Sequence, residues 1–154
     1  MNHIDYFKLQ AKNLFRDYKT QKLVDGNYTY TPKYFDIESI FSSYHGFFDT
    51  DGWDEGNLTL MQIQHLFAYM YGYEKWADLA KASNAELELT KLLFDHQDKI
   101  SVEDWEIYIA GAESDNNTTF DTETKIGIFE QVFANVEGHY NPFGDWRLTK
   151  QNPR

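Results

Sequence analysis

The chain contains no cysteine and only three prolines among its 154 residues. Without cysteine there is no disulfide, no thiolate nucleophile and no Cys-ligated zinc. No stretch approaches the ~18 apolar residues that a membrane-spanning helix requires. The opening Met1-Asn2-His3-Ile4-Asp5-Tyr6 has neither the basic start nor the apolar run of a secretory signal. These absences predict a chain that is mature from residue 1, cytoplasmic and without membrane contact. Neither GxGxxG nor GxxxxGK[ST] occurs, so the phosphate-cradling loops are missing. No Gly-x-Ser-x-Gly elbow exists for a hydrolase nucleophile. The histidines, His3, His45, His65, His96 and His139, show no HxH or HxxxH spacing, so no local zinc set is met.

What is present is aromatic and acidic. Aromatic residues make up 18% of the chain, and the formal net charge is −11. The length suits one domain, which needs no staple to bury a core. The charge is segregated. Residues 1–34 carry six Lys/Arg against three Asp/Glu, whereas residues 35–60 carry six acids and no base. Residues 61–100 are net −2, residues 101–138 set nine acids against Lys125 alone, and residues 139–154 return to +2. Such an acidic body repels nucleic acid and anionic membrane and attracts basic partners.

Apolar residues recur at helical spacing through most of the chain. Ile4, Phe7, Ala11, Leu14, Phe15 and Tyr18 form a stripe that predicts a helix over 2–19, with Lys8, Lys12, Arg16 and Lys19 on another face. Asp25-Gly26-Asn27 marks a turn. A marginal hairpin is expected near Tyr28–Tyr34, and a short helix over 36–44. Gly46 to Asn57 reads as an acidic loop around Trp53. Thr59-Leu60-Met61-Gln62 and Ser83-Asn84-Ala85-Glu86 are capping boxes that open two helices. Gly72 is placed to stop the first of these. A second short helix over 74–82 carries Trp76 and Leu79. Ser101 and Asp121 are N-caps for two further helices, and the tail from Gly138 is irregular.

Asp49, Asp51, Asp54 and Glu55 invite a calcium reading, but neither register of an EF-hand loop works. From Asp49, position 6 is Asp54 and position 12 is Leu60; from Asp51, position 3 is Trp53 and position 12 is Gln62. The helices over 59–71 and 74–82 look like a helix-turn-helix. Yet Glu74, Lys75, Asp78 and Lys81 cancel where base-reading side chains belong. Paired carboxylates are too common here to single out a glycosidase dyad. Trp53 and Trp146, in loops beside charge, are candidate interface anchors or rings that fold back onto the body.

Leu9-Gln10-Ala11-Lys12-Asn13-Leu14 and the stretch Thr59–Leu79, TLMQIQHLFAYMYGYEKWADL, carry a resemblance. They resemble a small bacterial helical module with the pattern QAKxL, a capped helix, and then G-[FY]-x-x-W-x-x-L. The module is called glyoxalase-related, and it also occurs in small stand-alone proteins. The likeness covers residues 6–19 and 57–82. It implies a bacterial helical fold and transfers no activity. Paired βαβββ units and His/Glu metal ligands, which a glyoxalase needs, are not found.

The reading is therefore an all-α single compact domain, 1–154, of about six helices, with an irregular tail over 138–154. The leading functional expectation is a non-enzymatic, immunity- or antitoxin-like module that binds a basic protein. Its binding residues are expected to be Asp49, Asp51, Trp53, Asp54, Glu55, Glu103, Asp104 and Trp146, with no catalytic residues, metal or cofactor, acting as a monomer. The alternatives are a helix-turn-helix-like nucleic-acid module and an enzyme whose site is not recognisable from sequence.

Overall fold

The computed structural model describes residues 2–148, apart from the side chains of Thr50 and Asp51. The fold is mostly helical, as the apolar spacing predicts. The described residues form eight α-helices: α1 (His3–Tyr18), α2 (Ile37–Ser43), α3 (His45–Asp51), α4 (Leu60–Met70), α5 (Trp76–Ala80), α6 (Asn84–Asp95), α7 (Val102–Asp115) and α8 (Thr122–Phe129). A 3₁₀ turn spans Glu55–Asn57, and α8 runs into a π-helical turn over Glu130–Ala134. The described backbone divides into two compact units, 5–67 with 146–148, and 2–4 with 68–145.

In the first unit, Phe7, Ala11 and Leu14 of α1 are fully buried, as are Ile40 of α2 and Ile63, Leu66 and Phe67 of α4. Phe67 meets Phe7 and Phe35 with ring centroids 6.2 and 6.5 Å apart. The hairpin lies earlier than expected. It pairs β1 (Lys22–Val24) with antiparallel β2 (Asn27–Thr29), Leu23 opposite Tyr28. The turn is Asp25-Gly26, with φ of 51° and 80°. Two consecutive positive φ values make a type I′ turn, whose twist matches the strands it joins.

The stretch Gly46–Asn57, expected as loop, is half helix. α3 starts at the end of α2 with no side-chain cap and stops at Gly52, whose φ is 67°. Trp53 N donates to Phe48 O, and Gly52 N to Asp49 O, which is a Schellman stop. Burial of Phe48 against Phe41, centroids 5.0 Å apart, holds so short a helix in place. Tertiary packing supplies what propensity does not.

In the second unit, the predicted signals stand where they were read. Glu86 N donates to Ser83 Oγ and Ser83 N to Glu86 Oε1, closing the capping box of α6. Ser101 and Asp121 accept from Asp104 N and Thr124 N. Each such cap contributes about 1 kcal/mol. Gly72 has φ of 98°, and Tyr73 N reaches back to Ala68 O. The core joins Leu93, Ile100, Trp105, Ile109, Phe129 and Phe133. Trp105 stands edge-on to Phe129 at 5.1 Å and to Phe133 at 6.0 Å. The Lys99 ammonium donates to the carbonyls of Phe133, Ala134 and Val136 at 3.3, 2.9 and 3.0 Å. It thereby satisfies the open end of the π-helical turn.

Candidate functional site

The acidic candidates fall into two places. Asp49 sits on α3, exposed, with its carboxylate 3.2 Å from His45 Nε2. Asp51 ends the same helix, and its side chain lies outside the described ones. Asp54 caps the 3₁₀ turn by accepting from Gly56 N at 3.0 Å. Glu55 is held more firmly. Tyr30 Oη donates to Glu55 Oε2 at 2.9 Å, and Tyr18 Oη and Gln21 Nε2 donate to its carbonyl at 2.7 and 3.2 Å. Tyr18 Oη also accepts from Leu58 N at 2.8 Å. The loop 54–58 is thus pinned to the end of α1 and to the strand region.

Burial raises the Tyr30 phenol well above its ordinary value, and the negative charge of Glu55 adds to this against the Gln21 hydrogen bond. Burial likewise raises Tyr18. Both phenols stay neutral and donate, so they position the loop rather than act as bases.

Trp53 is half-buried, with its ring 5.2 Å from Phe47 and 5.6 Å from His65. Trp146 is half-buried beside Tyr44 at 5.7 Å, and its carbonyl accepts from Asp36 N at 2.9 Å. Both rings therefore pack on the first unit's own body.

The other acidic group lies on α7. Glu103, Asp104, Glu106 and Asp115 are exposed there, beside Ile107 at 71% exposure and Tyr108 at 40%. Partial burial raises the Glu106 carboxyl above its ordinary value, and Glu103 pushes it further while Lys125 opposes. Lys125 Nζ lies 4.0 Å from Glu113 Oε2. This helix face combines negative charge with accessible apolar surface.

Among the described residues, no three His, Asp or Glu side chains converge as a metal site. Among the described residues, no buried side-chain nitrogen or oxygen lacks a hydrogen-bond partner. No described helix is long and apolar enough to cross a membrane.

The structure also shows groups that sequence reading passed over. Asp17, 1% exposed, accepts from Lys33 N, Tyr34 N and Phe35 N. In the tail, Tyr140 and Phe143 are 79% and 88% exposed. Neither feature has a local signal: one depends on a contact across the chain, the other on what fails to cover a ring.

Comparison of the chain with protein-family models, with curated proteins and with solved structures returns no match.

Proposed function

We propose that this protein is a non-enzymatic binding module that engages a basic protein through its acidic surface, chiefly the α7 face. The observation that carries this reading is that α7 exposes Glu103, Asp104, Glu106 and Asp115 on the same helix as accessible Ile107 and Tyr108. A charged rim around apolar area is the composition of a protein interface. Acidic charge of this density steers a cationic partner and raises the association rate at low salt.

The nucleic-acid reading fits less well. Lys8, Lys12 and Arg16 are exposed on α1, and Lys19 is exposed just past its end. However, the would-be recognition helix α5 has only five residues. A helix that short cannot present the three or four base-reading side chains that groove recognition uses. The likeness to the QAKxL module belongs to the same proposal. Its residues here are structural: Ala11 and Leu14 are fully buried, and Gly72 stops α4 at positive φ.

The test is affinity capture from the native host at ~50 mM salt with elution at higher salt, since charge-driven complexes weaken as ions screen them. The expected result is a protein of high pI that the double variant Glu103→Lys, Asp104→Lys fails to retain. Retention of no basic protein, or retention unaffected by charge reversal, refutes the reading.

A further inference from the structure

Two helices carry exposed charge of opposite sign that the chain leaves unpaired. On α1, Lys8, Lys12 and Arg16 are exposed at four-residue spacing, and Lys19 is exposed just past the helix end. Residues three and four apart are neighbours on a helix surface, so these side chains form one row. Asp5 heads the row, three residues before Lys8. Lys33 widens it, since Arg16 and Lys33 lie 6.0 and 5.3 Å from the centre of the same Tyr34 ring. Leu9, three residues before Lys12, adds apolar surface at 42% exposure.

On α7, Glu103 precedes Ile107 by four residues and Asp104 precedes it by three, so an acidic residue adjoins Ile107 on each side. Glu106 adjoins Ala110 by the same spacing, and Asp115 adjoins Gly111. Ile107, Ala110, Gly111 and Ser114 continue at three- and four-residue intervals, all exposed. Nothing lies within 4 Å of where a Cβ on Gly111 would stand. The outer face of α7 is thus a low seam between acidic edges, open to close approach by another helix. The helix itself contains no Lys or Arg. Among the described residues, no ion pair uses Lys8, Lys12, Arg16 or Lys19, nor any acid of α7 except Glu113. Neither set of charges stabilises its own helix, because like charges at these spacings repel.

We propose that this protein self-associates, with α1 of one copy lying on α7 of the next. Charge complementarity identifies the occupant as a second copy, because both halves of the contact stand on the same chain. The helices match in length as well: α1 has 16 residues and α7 has 14, about 24 and 21 Å at 1.5 Å per residue. Leu9 meets the Ile107 seam, and the bases of α1 reach the acidic edges. The net charge of −11 does not prevent this, because at 0.1 M salt a charge acts over about 10 Å and the local segments decide. Contact between unlike faces is head-to-tail, so it closes into a ring or continues as a chain according to its angle. The contact does not depend on the functional reading above. It covers the surface assigned there to a basic protein, so the two modes of binding exclude each other.

The test is sedimentation velocity of the full chain up to millimolar concentration, at ~50 and ~300 mM salt. The expected result is a mass above that of the monomer at low salt that falls as salt rises. The double variants Lys8→Glu, Lys12→Glu and Glu103→Lys, Asp104→Lys should each weaken association by about tenfold or more, since like charges then face each other. Mixed one to one, the two variants should recover it, because the reversed α1 of one meets the reversed α7 of the other. A variant that had merely lost its fold would not recover. If a reversed variant does not melt cooperatively, Lys8→Gln, Lys12→Gln or Glu103→Gln, Asp104→Gln replaces it, with a smaller loss expected. Association that survives either reversal overturns the proposal, as do folded variants that fail to pair when mixed. A chain that stays monomeric overturns it too, whether or not α1 then binds duplex DNA or phosphatidylserine vesicles. The variant Lys8→Glu, Lys12→Glu leaves α7 intact, so it should still capture a basic protein. Loss of self-association with that capture retained separates this contact from the functional reading.

Discussion

Replacing Asp17 tests the most concentrated polar interaction in the protein. Its carboxylate is 1% exposed and accepts three successive backbone N–H groups, those of Lys33, Tyr34 and Phe35, at 2.9, 2.7 and 2.7 Å. The position is unfavourable in itself, because an anion in the last turn of α1 faces the negative end of the helix dipole. The three converging amides offset this by forming an anion nest. A hydrogen bond to a charged acceptor contributes about 1.5–3 kcal/mol net. Three would sum to roughly 4.5–9 kcal/mol, but removing the carboxylate also removes its desolvation cost, and the outer amides regain some water. Asp17→Ala is therefore expected to cost about 3–5 kcal/mol, a large share of the roughly 5–15 kcal/mol that stabilises a typical domain. Asp17→Asn keeps the shape and one acceptor oxygen but turns an amide donor toward an N–H, so it should fall between the two. Urea denaturation gives the free energies. Hydrogen exchange localises the effect, with protection lost first at residues 33–35. A value for Asp17→Ala within ~1 kcal/mol of the parent would mean that the carboxylate does not organise this segment.

Three further outcomes follow from single contacts. Lys99→Met strips three carbonyls of their donor and should destabilise by about 1–2 kcal/mol, read by denaturant titration, with His139 resonances shifting in NMR as the π-helical turn loosens. Glu106 has a carboxyl pKa raised by burial and by Glu103, so the folded state holds this proton more tightly than the unfolded chain does. Stability from this group therefore rises as pH falls through the raised value. Glu106→Gln should melt higher than the parent at pH 7, and the advantage should vanish in acid, where the parent is neutral too. Gly56→Ala would set a Cβ against the Tyr28 hydroxyl and should cost about 1–3 kcal/mol by thermal unfolding. The same substitution in a Tyr28→Ala background should cost clearly less, since the overlapping partner is gone.

The parts of the candidate site differ in how far sequence reveals them. The acidic character of α7 was legible, because Ser101 announces the helix start and the charges follow at once. The surroundings of Asp49, Asp54 and Glu55 were not. Gly52 is a helix stop of the same kind as Gly72, but α3 has no cap to announce its beginning, and burial of Phe48 decides its existence. Asp-Gly at 25–26 was a usable hairpin signal, and the strands on either side of it, Lys22–Val24 and Asn27–Thr29, are too short to show alternation. Trp53 and Trp146 illustrate a different limit. Flanking charge does not tell whether a ring faces water or folds back, since that depends on Phe47, His65 and Tyr44 being within reach. The exposure of Phe143 had no signal for the corresponding reason.

What the amino-acid order determines here is local. Helix stripes, caps at Thr59, Ser83, Ser101 and Asp121, the stop at Gly72 and the segregation of charge all act between residues a few positions apart. Their energies do not wait for the rest of the chain. Tertiary structure decides everything that needs distant partners. Asp17 finds its amides 16 to 18 residues away, and Lys99 finds its carbonyls 34 to 37 residues away. Those partners exist only once helix packing has brought the segments together, because no spacing rule along the chain encodes a contact whose geometry is set by the core between its ends.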